Sequence, residues 1–191
     1  MVPAVQSLIW QFSRTEKLLP LETARNLPRQ RRVLLFGRTG DDPRVVGDWD
    51  GDGKADPSVY RSGASPGAQS FFFYRPSAQP SVDFVTIYWG TAGDEPVRGD
   101  FDGDRRMDAA VFRPSDSIWY ILPSAAAQPR YERWGLSGDR LVAGDYDGDG
   151  RTDFAVWRAG NYNILQNLSS QAVYINFGVA SDVPIASAFV R

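Results

Sequence analysis

The chain has 191 residues, a formal charge of −2, and neither cysteine nor histidine. Those absences exclude disulfides, thiolate and imidazole metal sites, and Ser-His or Cys-His nucleophile pairs, so that catalysis could rest only on carboxylates. No apolar run is long enough for a transmembrane helix, so no membrane span is expected, and residues 1–5 lack the basic-then-apolar pattern of a signal peptide.

In chain order, residues 7–12 (SLIWQF) read as a strand similar to that expected at 117–121. A polar, basic connector follows over 14–32, with Pro20, Pro28 and a cluster of Arg25, Arg29, Arg31 and Arg32 that reads as solvated charge. Residues 33–36 read as the last strand of a unit whose earlier strands are missing. Segment 1–32 is therefore expected to be an N-terminal strand and connector that acts as an assembly arm, and 33–191 a repeat domain.

From residue 36 one pattern recurs. An aromatic-Gly turn (Phe36-Gly37, Trp89-Gly90, Trp134-Gly135, Phe177-Gly178) runs to Asp41, Asp94, Asp139 and Asp182. Short apolar stretches at 45–47, 97–99 and 142–144 lead into an acidic nonapeptide, DWDGDGKAD at 48–56, DFDGDRRMD at 100–108 and DYDGDGRTD at 145–153. Next come a strand ending in arginine (58–61, 110–113, 155–158), an aromatic strand (71–74, 119–122, 162–165) and a returning strand (84–89, 131–134, 173–177). Four short strands per unit, rich in aromatic and β-branched residues and punctuated by Gly, Pro, Asn and Asp, predict an antiparallel meander. The first aspartates are 52 and then 45 residues apart, which places the extra length in a Gly/Ser/Pro-rich loop at 62–70.

The fold class expected is all-β, a β-propeller-like array of four-stranded antiparallel blades. Three blades are complete. A fourth is completed by the two chain ends, in cis within one molecule or in trans between molecules. In that fourth copy Ala188-Phe189 stands where Asp100-Phe101 stands in the second, so its metal ligand is gone.

Four carboxylates in nine residues repel one another and curl together only around a hard cation that takes oxygen ligands; calcium, at three sites, is the expectation. Loop positions 1, 3, 5 and 9 supply carboxylates and position 7 its backbone carbonyl. The predicted ligands are Asp48, Asp50, Asp52, Lys54 and Asp56 in the first loop. They are Asp100, Asp102, Asp104, Arg106 and Asp108 in the second, and Asp145, Asp147, Asp149, Arg151 and Asp153 in the third. Position 6 favours a positive φ, which suits Gly53 and Gly150. Arg105 holds that place in the middle loop at a cost of about 1 kcal/mol, which predicts the weakest of the three sites there.

The turns, the prolines Pro43, Pro96 and Pro184 and the D-x-D-x-D-G-x-x-D loop resemble the FG-GAP or VCBS-type repeat, found in integrin α-subunit propellers and bacterial surface proteins. The resemblance spans about residues 33 to 191; Arg105 and the short chain depart from it. It implies calcium-stabilised propeller blades used in adhesion, ligand binding or as scaffold.

Twelve of the 23 acidic residues lie in the three loops, and three bound Ca²⁺ would move the formal charge from −2 to +4. The loaded surface would then favour glycans or other anionic polymers. Arg61, Arg113 and Arg158, with the turn aspartates, read as an ion pair repeated at each blade junction, and Trp89, Trp119, Trp134 and Trp157 read as core. Asn167-Leu168-Ser169 matches a glycosylation sequon at close to background frequency. The expectation is a non-enzymatic, extracellular or cell-surface calcium-binding protein with a structural or adhesive role, self-assembling head to tail through its N-terminal segment. The alternative is a monomeric four-bladed, lectin-like glycan-binding module.

Overall fold

A computed structural model of the chain describes residues 36–126 and 128–185, all within the unit Phe36–Arg191. The strands read at 7–12 and 33–35, the connector at 14–32 and the altered fourth copy from 186 onward lie outside the described residues.

The described residues are all-β, with three antiparallel sheets and no α-helix. The first sheet holds β1 (Ser58–Arg61), β2 (Gln69–Tyr74) and β3 (Val85–Thr91). The second holds β4 (Glu95–Val97), β5 (Ala109–Arg113), β6 (Ile118–Leu122) and β7 (Arg130–Arg133). The third holds β8 (Arg140–Leu141), β9 (Phe154–Arg158), β10 (Asn161–Leu165) and β11 (Ala172–Asn176). In each sheet the strands lie side by side in chain order.

Four strands were expected in every unit, but the first sheet has three. Its missing inner strand is reduced to one bridge, in which Asp42 and Tyr60 exchange N–H to carbonyl bonds of 2.7 and 2.8 Å. Pro43 and Pro96 are equivalently placed, so proline is not the cause. The short Asp42 side chain accepts the Arg44 N–H at 2.9 Å and curls Pro43–Val45 into a 3-10 turn. Six residues separate Asp41 from Asp48 where five separate Asp94 from Asp100, and the extra residue is taken up in that 3-10 turn, whereas the shorter second unit keeps β4 in the ladder.

Period-two alternation gives the middle sheet two buried faces. Ala109 and Val111 of β5 pack with Val45, Trp49, Tyr60 and Phe72 of the first unit. Ala110 and Phe112 of the same strand pack with Ala143, Phe154 and Val156 of the third. Trp119 is fully buried there, its ring 5.5 to 6.3 Å from those of Phe101, Phe112 and Phe154. A third cluster, Val142, Ala155, Trp157 and Ile164, lies on the other face of the third sheet. Trp89 and Trp134 link units, since Trp89 donates its indole N–H to the Tyr120 carbonyl and Trp134 donates to that of Asn163, both at 3.0 Å.

The arginine-aspartate pairs form, on the turns that lead from one sheet into the next. Arg61 reaches Asp41 at 2.7 Å, Arg113 reaches Asp94 at 2.7 Å and Arg158 reaches Asp139 at 2.6 Å. Each uses two guanidinium nitrogens, and each carboxylate also accepts a turn N–H, from Arg38, Thr91 or Leu136, at 2.8 Å. The pair therefore fastens each aromatic-Gly turn to the arginine strand of the sheet that follows it, and Arg113 of β5 also donates to the Thr91 hydroxyl of β3 at 3.1 Å.

Truncating Trp119 to alanine should cost about 3 to 5 kcal/mol in urea unfolding, whereas Leu168→Ala, on an exposed side chain, should stay within about 0.5 kcal/mol. The Arg61 guanidinium holds the Asp41 carboxyl below its ordinary range. Stability from that pair is fully present above the unfolded pKa of about 3.9 and is lost as pH falls through the lower folded value. The stability gap between wild type and Arg61→Met should accordingly close as urea melts are repeated from about pH 5 down to about pH 2.

Candidate metal centres

Each acidic loop is folded by its own carboxylates. The first-position residue caps the curl: Asp48 accepts the N–H of Gly51 and of Gly53, both at 2.7 Å. Asp100 accepts from Gly103 at 2.6 Å and Arg105 at 2.7 Å, and Asp145 from Gly148 at 2.7 Å and Gly150 at 3.1 Å. This curl puts position 6 in the left-handed region, with φ of 82° at Gly53, 87° at Gly150 and 70° at Arg105. Arg105 adopts it at about 1 kcal/mol of strain.

The ninth-position carboxylate staples the loop to its sheet. Asp56 accepts the Trp49 N–H at 2.9 Å and, beyond the end of β2, the Ser77 N–H at 2.6 Å. Asp108 does the same with Phe101 (2.7 Å) and Ser124 (2.6 Å), and Asp153 with Tyr146 (2.9 Å) and Asn167 (2.8 Å). Position 3 is held in two loops, where Asp50 accepts from Ala78 at 2.9 Å and Asp102 from Ala125 at 3.1 Å.

Positions 1, 3 and 9 are thereby brought together three times. One carboxylate oxygen from each of Asp48, Asp50 and Asp56 lies within 4.8 Å of the others, as in Asp100, Asp102 and Asp108 and in Asp145, Asp147 and Asp153. Each group could hold a metal ion, and a donor set of carboxylate oxygen alone suits a hard cation. A carboxylate has about four acceptor sites, so the N–H bonds leave room for one.

The position-5 carboxylates, Asp52, Asp104 and Asp149, are not in these groups. Asp52 accepts the Ser77 hydroxyl at 2.9 Å and the Lys54 ammonium at 2.8 Å; Asp104 accepts the Ser124 hydroxyl at 2.7 Å. The N–H groups of Lys54, Arg106 and Arg151 bond Asp52, Asp104 and Asp149 at 2.9, 2.8 and 2.7 Å.

Burial sets the electrostatics. It pushes Asp108 up to about 7 and also raises Asp100 and Asp153, with neighbouring loop carboxylates adding to the effect. The half-buried Asp52 goes the other way, held below its ordinary range by Lys54. The middle loop is the most enclosed and the third the most open, its Asp145 and Asp147 exposed.

Sequence reasoning missed the serine clasps, although their signal is plain: Pro-Ser-Ala occurs at 76–78 and at 123–125. In the third unit Asn167 replaces the serine. It is 5 % exposed, its amide nitrogen donates to the carbonyls of Phe101 and Thr152 at 2.8 Å, and its oxygen accepts from Arg130. The sequon asparagine thus joins the second and third units and is enclosed rather than offered to a glycan.

The loops also approach one another closely. A Cβ on Gly47 would lie 2.6 Å from the Met107 side chain, and one on Gly99 would lie 2.7 Å from Thr152 and 2.8 Å from the Phe101 ring. No family model matches the chain, and neither a curated protein nor a solved structure matches it.

Gly99→Ala should cost about 1 to 3 kcal/mol by overpacking, because a buried ring and a β-branched side chain cannot yield. The flexible Met107 thioether can swing aside, so Gly47→Ala should cost less than about 1 kcal/mol; parallel guanidinium melts compare the two.

Proposed function

We propose that this chain is a calcium-binding repeat protein of the FG-GAP or VCBS type, with a structural or adhesive role outside the cell or at its surface. The observation that carries the reading is the threefold convergence of carboxylates at positions 1, 3 and 9. Calcium–oxygen distances of about 2.3 to 2.6 Å allow two ligands of one ion to stand up to about 5 Å apart, which suits oxygens within 4.8 Å of one another. Three carboxylates fall short of the six to eight oxygens calcium takes, and Asp52, Asp104, Asp149 and the carbonyls of Lys54, Arg106 and Arg151 are the donors proposed to join them. A bound ion would supply two positive charges against the carboxylates of each loop. The reading is non-enzymatic, because the clustered carboxylates are committed to metal.

The propeller arrangement belongs to the same proposal. Ala155, Trp157, Tyr162 and Ile164 stand in the third sheet where Ala110, Phe112, Trp119 and Ile121 stand in the second, and the latter set is the face that receives a neighbouring sheet. A further sheet docked on the third would extend the array, with the N-terminal segment as its source, in cis or from a second copy in trans. Among the described residues no helix is long and apolar enough to cross a membrane.

Calcium at 100 times its dissociation constant should stabilise the fold by about 2.7 kcal/mol per independent site, and magnesium at equal concentration by much less. Melting temperature is followed with calcium and after excess EGTA, in wild type and in Asp100→Asn with Asp102→Asn, and light scattering on the same samples reads self-association. Melting that ignores saturating calcium would overturn the reading.

A further inference from the structure

We infer that the three loops are coupled in series, each to its immediate neighbour, through main-chain bonds between them, so that an ion in one loop raises the affinity of the next; this rests on the calcium reading above. At the first junction the N–H of Met107, the residue before Asp108, donates to the carbonyl of Asp48 at 2.7 Å. The Arg106 guanidinium donates to the Trp49 carbonyl at 3.1 Å. At the second junction the N–H of Thr152, the residue before Asp153, donates to the carbonyl of Asp100 at 2.6 Å. The Thr152 hydroxyl oxygen accepts the Asp100 N–H at 2.9 Å.

The rule is the same at both junctions. The first ligand residue of one loop is gripped by the residue that precedes the last ligand of the next. Glycine at Gly47 and Gly99 lets the two loops come close enough, and the side chains of Arg106 and Arg151 lie across Gly51 and Gly103, 3.2 and 3.1 Å from where a Cβ would stand. Among the described residues the first and third loops share no hydrogen bond.

A cation that orders the third loop fixes Thr152 and with it both main-chain groups of Asp100, so the second loop has less left to order when it binds. Linkage makes the effect reciprocal. The path is a run of direct bonds, with ordered and unordered loops as its two states. Thr152 and Met107 are positioning residues: they grip the neighbouring loop's backbone and touch none of its carboxylates.

The test is a calcium titration of the full chain followed by residue-resolved NMR. Gly51, Gly103 and Gly148 each donate an N–H to the first carboxylate of their own loop and so report the three loops separately. Disabling the third loop with Asp145→Asn and Asp147→Asn should raise the calcium concentration that half-shifts Gly103 by about fivefold or more, and move Gly51 less. Thr152→Val should weaken the Gly103 response similarly with the third loop's carboxylates intact, and Thr152→Ser should restore it. Amide exchange at Asp100 in calcium-free protein should be faster in Thr152→Val than in Thr152→Ser, a readout independent of the ion. A Gly103 midpoint that ignores the state of the third loop contradicts coupling while leaving calcium binding in place. Glycine amides that ignore calcium in wild type remove the calcium reading, and coupling with it.

Discussion

Crowded carboxylate charge is the constraint on which the rest of the structure depends. Two like charges about 5 Å apart repel by about 3 kcal/mol at an effective dielectric of 20. Each of the three loops contains three such pairs. Backbone N–H groups offset part of this, and the proposed cation would offset more. Burial pushes the Asp108 carboxyl up to about 7, in the loop most enclosed by its neighbours. Histidine and cysteine are absent from the chain, so oxygen donors and a hard ion are the available chemistry.

The same residues that gather the charge also hold the sheets in place. Asp56, Asp108 and Asp153 are fully buried and bond both to their own loop and to the segment beyond the next hairpin. The loop is therefore part of the sheet's frame rather than an appendage. Aromatic packing supplies most of the remaining cohesion: β5 is buried on both faces, and the rings of Phe101, Trp119 and Phe154 fill the space between the second and third sheets. The indole bonds from Trp89 and Trp134 and the loop-to-loop bonds from Met107 and Thr152 repeat at both junctions between units. A small fold without disulfides thus relies on contacts copied with its own period.

Much of this was legible in the sequence. Strand positions followed from alternation of apolar and polar residues and from the arginine closing each second strand; β1 matched to the residue, and β5, β6, β9 and β10 each began one residue earlier than read. Convergence at positions 1, 3 and 9 followed from loop spacing. What escaped depended on a one-residue insertion or on partners distant in sequence. One residue more between Asp41 and Asp48 than between Asp94 and Asp100 takes the inner strand out of the first sheet. Asp52 stands outside its group beside Lys54 and Ser77, and the Ser77 hydroxyl lies 25 residues away. The arginine-aspartate repeat was visible, and the pairs stand on the turns between successive sheets.

If calcium fills these loops, the folded state and the ion are linked, and a protein of this kind is rigid where the ion is abundant and loosened where it is scarce. The most direct measurement is the metal content of the full chain, determined by elemental analysis after dialysis against calcium and removal of free ion. The account predicts three calcium ions per chain, one for each loop, falling to two when Asp100 and Asp102 are both replaced by asparagine. Protein that retains no calcium under those conditions would contradict it.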